Sequence, residues 1–187
     1  MKCIKAKSFC LHGNTILIAG LRLNRDNNEF YPFVGFIQGD IVTLSDEEWR
    51  VFISIQSQIK DYFRAPNEIH HIRNLPNHYI LLNPDASEIV LKSGQTWHSV
   101  RLSEVQYNQV LNFWPLVSLH LFKMTRKALY QTYRIRTIVS EVARIAEPDV
   151  STDVIHELLH DRSDIELYSM YWDVMGKLVQ EKLQQNL

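Results

Sequence analysis

The feature that most constrains this chain is an internal repeat at a fixed offset of 58 residues. Ile41-Val42-Thr43-Leu44-Ser45-Asp46-Glu47-Glu48-Trp49 returns as Ser99-Val100-Arg101-Leu102-Ser103-Glu104-Val105-Gln106-Tyr107. Both segments spell a capping box: a serine that accepts from amides at a helix start, and a Glu or Gln three residues later that reaches back. Apolar residues then recur at helical spacing, Trp49, Phe52, Ile53, Ile55 and Ile59 after the first box, Val110, Leu111, Trp114, Val117 and Leu121 after the second. One capping box is common; two at equal offset, each behind a short β-branched run, indicate duplication.

Upstream of each box the chain reads as strands. Residues 15–23 are β-rich and run into turn chemistry at Asn24-Arg25-Asp26-Asn27-Asn28; residues 29–38 form a second strand, and Gly39-Asp40 turns into Ile41-Val42-Thr43. In the second copy His78 to Leu82 leads to a turn at Asn83-Pro84-Asp85, Ile89 to Lys92 to a turn at Ser93-Gly94-Gln95, and Trp97 to Arg101 to the helix. The expected fold class is α+β: two antiparallel-sheet-plus-helix repeats followed by an α-helical C-terminal region. The expected divisions are 1–63, a linker 64–77 carrying Pro66 and Pro76, 78–124, and a helical region 125–187.

This unit resembles the single-stranded DNA-binding domain of the positive-cofactor-four family, whose curved sheet leads into a helix starting Leu-Ser/Thr-x-x-Glu/Gln-Trp. Leu44-Ser45-Asp46-Glu47-Glu48-Trp49 carries that pattern, Leu102 to Tyr107 carries it with Tyr for Trp, and Pro115 falls where that family often has a proline. Two such units in one chain are similar to the Whirly pseudo-dimer of plant DNA-binding proteins and trypanosome mitochondrial RNA-binding proteins. The resemblance covers about residues 8–122; the Lys-Gly-Lys-Ala-Ala-Leu-type strand motif and the basic, serine-rich leader of Whirly proteins are absent from this sequence.

The resemblance implies binding of single-stranded DNA or RNA on the sheets, with bases stacking on aromatics and phosphates meeting Lys and Arg. Candidates are Lys5, Lys7, Arg22, Arg25, Tyr31, Phe33, Tyr79, Lys92, Trp97 and Arg101. Strand alternation puts Tyr31 and Phe33 on one face and Phe30 and Phe36 on the other, without saying which is wet. Lys123, Arg126, Lys127, Arg134 and Arg136, with Tyr130 and Tyr133 interleaved, form a further basic run, in which positions 123, 126, 127, 130 and 134 line one helical face. Charge fits a phosphate-rich partner: residues 1–140 carry 16 Lys+Arg against 11 Asp+Glu, and residues 141–187 carry 4 against 10.

The C-terminal region adds wide apolar stripes, Ile135 to Ile145 and Tyr168 to Val179, which need a core, a second copy or a protein partner to cover them. Within it His156-Glu157-Leu158-Leu159-His160 matches the His-Glu-x-x-His signature of zinc peptidases. A second reading is therefore a small zinc hydrolase with His156 and His160 as ligands and Glu157 as general base; Glu181 lies near the spacing of a third ligand but in a polar tail poorly suited to a buried site. A third is a scaffold that keeps the fold without nucleic acid. The first reading expects no catalysis and no cofactor.

Two cysteines, Cys3 and Cys10, make neither a disulfide framework nor a metal-type spacing. No Gly-rich phosphate loop or nucleophile elbow occurs. Without the apolar run of a leader or of a membrane span, an intracellular protein is expected, in nucleus, cytoplasm or organelle.

Overall fold

The computed structural model describes residues 2–65, 71–83, 87–147 and 150–185. Pro66, Pro84 and Asp85, read as linker and turn residues, lie outside them. The chain is α+β, with two four-stranded sheets and five helices among the described residues. The first sheet runs β1 (Ile4–Cys10), β2 (Ile16–Asn24), β3 (Glu29–Gln38) and β4 (Asp40–Ser45) in that spatial order, followed by α1 (Asp46–Ser54) and α2 (Gln56–Arg64). The second repeats the plan with β5 (His71–Asn74), β6 (His78–Asn83), β7 (Glu88–Ser93) and β8 (Ser99–Ser103), followed by α3 (Glu104–Ile145). Then come α4 (Thr152–Arg162) and α5 (Ile165–Gln185).

Contacts divide the chain into two compact units. One comprises Ala6–Gly20 and Pro32–Met124, the other Lys2–Lys5, Leu21–Tyr31 and Thr125–Leu187, so β2, β3 and α3 contribute to both. In the first unit strand alternation buries one face of each sheet. Val34, Phe36, Val42 and Leu44 from one sheet, and Ile80, Ile89, Leu91, Val100 and Leu102 from the other, join one cluster with Trp49, Phe52, Ile59, Tyr107, Val117 and Leu121 of the helices. Gly39, at φ 76°, makes the one-residue turn that lets Gln38 pair with Asp40.

Both capping boxes form. Ser45 Oγ accepts from the Glu48 amide while the Glu48 carboxylate accepts from the Ser45 amide; Ser103 and Gln106 do the same. The expected first helix is two helices, because Ile55 (φ −90°, ψ 15°) leaves helical geometry and turns the chain before α2. The expected separate helix after residue 124 does not start there: α3 runs 42 residues from Glu104 through Pro115 to Ile145, with no breaker between its halves. Trp97, read as a strand residue, lies in the β7–β8 turn, with β8 starting at Ser99.

The second unit is built on Tyr171. Its hydroxyl accepts from the Leu23 amide (3.4 Å) and donates to the Lys2 carbonyl (3.2 Å), and its ring takes Phe30 edge-on at 5.3 Å. Burial pushes this phenol up to about 12. Thr132 Oγ1 accepts from the Phe30 amide, Arg134 pairs with Asp164, and Arg136 with Glu29.

Candidate nucleic-acid interface

The outer face of the second sheet gathers four of the expected residues. Because β6, β7 and β8 turn His78, Ile80, Leu82, Ile89, Leu91, Val100 and Leu102 inward, the alternate positions project out. Register then sets rows across the sheet: Tyr79 opposite Lys92 and Lys92 opposite Ser99, Leu81 opposite Val90 and Val90 opposite Arg101. Trp97 stands in the β7–β8 turn, 91% exposed, with Lys92 Nζ 5.6 Å from its ring centroid. Arg101 is exposed and ion-pairs with Glu88 at 3.8 Å.

The turn that presents Trp97 is held from several sides. Ser93 Oγ accepts from the Gln95 and Thr96 amides, the Ser93 amide bonds the His98 carbonyl, and the Gly94 amide donates to the Asn77 carbonyl at 2.7 Å. A Cβ on Gly94 would come within 3.0 Å of that carbonyl and 3.3 Å of Tyr79 Cε2, so glycine sets the approach of the turn to Tyr79. The edge of β8 is closed by acceptors beside β4: Asp40 Oδ2 takes the Ser99 amide and Gln38 Oε1 takes the Arg101 amide. The Ser99 amide, followed by the His98 ring, holds the Asp40 carboxyl below its ordinary value. Asp40 and His98 are themselves related by the 58-residue offset.

Beneath this face lies a reciprocal lock that the sequence did not announce. Glu48 Oε1 accepts from the Asn77 amide and bonds His78 Nδ1, each at 2.9 Å, at the start of β6. Gln106 Nε2 donates to the His12 carbonyl (2.7 Å) and to Thr15 Oγ1 (2.9 Å), just before β2. Each repeat's capping residue thus ties down the turn between the first two strands of the other repeat's sheet. Glu48 is 1% exposed. Burial pushes its carboxyl up, but hydrogen bonds from His78, Ser45 and Asn77 outweigh that and bring it down to about 2. Trp49, at Tyr107's place in the repeat, donates from Nε1 to Ser118 Oγ at 3.2 Å. The buried Tyr107 hydroxyl has no hydrogen-bond partner among the described residues, and burial raises its pKa.

The other candidates do not join this face. Phe33 is fully buried, its ring over Gly35, where an added Cβ would meet it at 3.3 Å and Ile18 at 3.0 Å. Phe33 therefore offers no stacking surface: both faces of β3 are covered there, Phe36 inside the core and Phe33 on the opposite side. Tyr31 and Arg22 are half-buried members of the second unit, as is the exposed Lys5. Arg25 faces Asp173 at 3.6 Å, beside Lys2 on the same carboxylate. Lys7 is exposed on β1; Lys123, Arg126 and Lys127 are exposed along α3.

The two histidines of the zinc-type motif pack on α5. His156 meets the Trp172 ring edge-on at 4.5 Å, with its Nε2 3.0 Å from where a Cβ on Gly176 would sit; His160 meets Tyr168 at 5.0 Å. Glu157 is exposed and Glu181 pairs with Lys177 at 3.5 Å. Among the described residues no group of three or more His, Cys, Asp or Glu stands where a metal ion could be held, and no helix is long and apolar enough to cross a membrane. No protein-family model, curated protein or solved structure matches this chain.

Proposed function

We propose that the chain binds single-stranded nucleic acid on the outer face of its second sheet. The observation that carries the reading is Trp97, 91% exposed on a turn fixed by Ser93 and Gly94, with Lys92 over its ring and Tyr79 opposite Lys92. Leaving a large aromatic in water has a use when a base stacks on it, and a stacked base accepts any sequence. Lys92 and Arg101 then meet backbone phosphates on either side. The site is small. It offers two cations, one shared with Glu88, so the footprint is a few nucleotides and sequence preference is weak.

Fluorescence anisotropy with a labelled single strand and the matching duplex tests this. The expected result is preference for the single strand, and a loss of about 5- to 150-fold for Trp97→Ala, the ~1–3 kcal/mol of one base–aromatic stack. Failure to bind at low salt, or affinity unchanged in Trp97→Ala, would sink the proposal.

A further inference from the structure

Two exposed carboxamides stand beside Trp97. Asn77 lies in the β5–β6 turn and Gln95 in the β7–β8 turn, and Gln95 Nε2 donates to Asn77 Oδ1 at 3.3 Å. The roots of both side chains are fixed. The Asn77 amide rests on Glu48 Oε1 at 2.9 Å, the Asn77 carbonyl accepts from Gly94 at 2.7 Å, and the Gln95 amide donates to Ser93 Oγ at 3.3 Å. All of these residues, with Lys92 and Trp97, belong to one compact unit. Groups held in place before a ligand arrives lose little freedom when it binds.

What these side chains leave over is mostly donors. Among the described residues, both N–H groups of Asn77 Nδ2 and the second N–H of Gln95 meet no acceptor. The Ser93 and Thr96 hydroxyls already accept from backbone amides, which leaves each an O–H to give. Lys92 adds a cation beside the indole. Against these donors stand Gln95 Oε1 and, with Nδ1 turned to Asp40 at 3.2 Å, the far nitrogen of His98. A base stacked on Trp97 is therefore met mainly by N–H and O–H groups, and bases differ in the acceptors they show. Adenine, guanine and cytosine each carry an exocyclic amino group, a donor; thymine and uracil carry none, and show a carbonyl on either side of a single N–H. We infer that the base this site prefers is a thymine or uracil, its carbonyl oxygens taken by N–H groups of the Asn77–Gln95 pair. The inference rests on the single-strand site proposed above: the stack accepts any base, and the pair adds a preference for one.

Anisotropy with labelled single strands of roughly 12 nucleotides tests it. The strands are oligo-dT, oligo-U, oligo-dA, oligo-dC and an oligo-dT analogue whose bases are difluorotoluene, thymine's shape with fluorine for both carbonyl oxygens. The full chain should bind dT and U about 3- to 10-fold tighter than dA or dC, the scale of one net hydrogen bond, and should bind the analogue more weakly than dT by as much. The tighter of dT and U shows whether DNA or RNA supplies the base. Asn77→Ala combined with Gln95→Ala should erase both differences and leave Trp97-dependent binding in place, whereas a folding defect would weaken every strand alike. Equal affinity of the wild type for dT and its analogue would overturn the inference and leave the single-strand reading standing. So would a preference for dT over dA that survives the alanine pair, which would trace it to the self-stacking of adenines. No binding to any strand, or binding indifferent to Trp97→Ala, would bring down the reading and the inference together.

Discussion

Replacing Glu48 with glutamine tests the lock between the repeats. The carboxylate receives three donors, the Ser45 amide on Oε2 and the Asn77 amide and His78 Nδ1 on Oε1. An amide has one oxygen. Its better orientation keeps Asn77 and His78 and turns an NH2 toward the Ser45 N–H, so one buried donor at the cap is orphaned, at about 1–3 kcal/mol. The proton equilibrium set by the same bonds gives a similar scale. A carboxyl lowered from 4.5 to about 2 contributes about 3 kcal/mol at neutral pH. Since the folded-state value is the lower one, this contribution is complete above about 4.5 and disappears as pH falls through about 2. Urea unfolding of wild type and Glu48→Gln at pH 7, 5, 3.5 and 2.5 should show a gap of about 3 kcal/mol at pH 7 that closes toward pH 2.5. A gap as wide at pH 2.5 as at pH 7, or none at pH 7, would refute the reasoning.

Other perturbations probe the same architecture. Tyr107→Phe removes a buried hydroxyl without a hydrogen-bond partner among the described residues and should be neutral or stabilising by up to about 1 kcal/mol in the same assay; a loss above that would mean the hydroxyl is satisfied. Gly94→Ala pushes a methyl against the Asn77 carbonyl and should lower stability by about 1–3 kcal/mol while loosening the turn, weakening oligonucleotide binding along with it. Binding should lose affinity with salt at a log–log slope of about −1.4, two phosphates on a single strand; a slope steeper than about −4 would implicate cations beyond Lys92 and Arg101.

The repeat was legible because its signal is local. A capping box is four residues long, and the helical spacing of Trp49, Phe52 and Ile59 marks the face that the core buries. Strand β1 was not legible: in Ile-Lys-Ala-Lys-Ser-Phe-Cys only Ile4 is buried, so no apolar alternation marks it. The length of α3 was hidden because Lys123 to Lys127 neither breaks a helix nor continues a simple stripe. At the candidate site, alternation grouped Tyr31 with Phe33 but could not show that β3 is covered on both sides, whereas Trp97 is wet because a turn carries it. Glu48 was readable as a cap; its bonds to Asn77 and His78 join positions about thirty residues apart, which no local pattern encodes.

The reciprocal reach of Glu48 and Gln106 also has a consequence in time. The first sheet and its helices leave the ribosome before anything that Glu48 or Trp49 bonds beyond its own cap exists, since those partners lie at 77, 78 and 118. The 58 residues from Glu48 to Gln106 take roughly 3–12 s to synthesise at ~5–20 residues per second. Throughout that interval Trp49 and Phe52 wait without Tyr107, and the edge of β4 waits for β8. Nascent chains stalled near residue 64 should therefore be cut readily by protease, and chains long enough to expose Leu121 should resist; protection at the shorter length would contradict this order. Carrying both copies of the plan in one chain thus writes a delay into translation, which the chain must survive each time it is made.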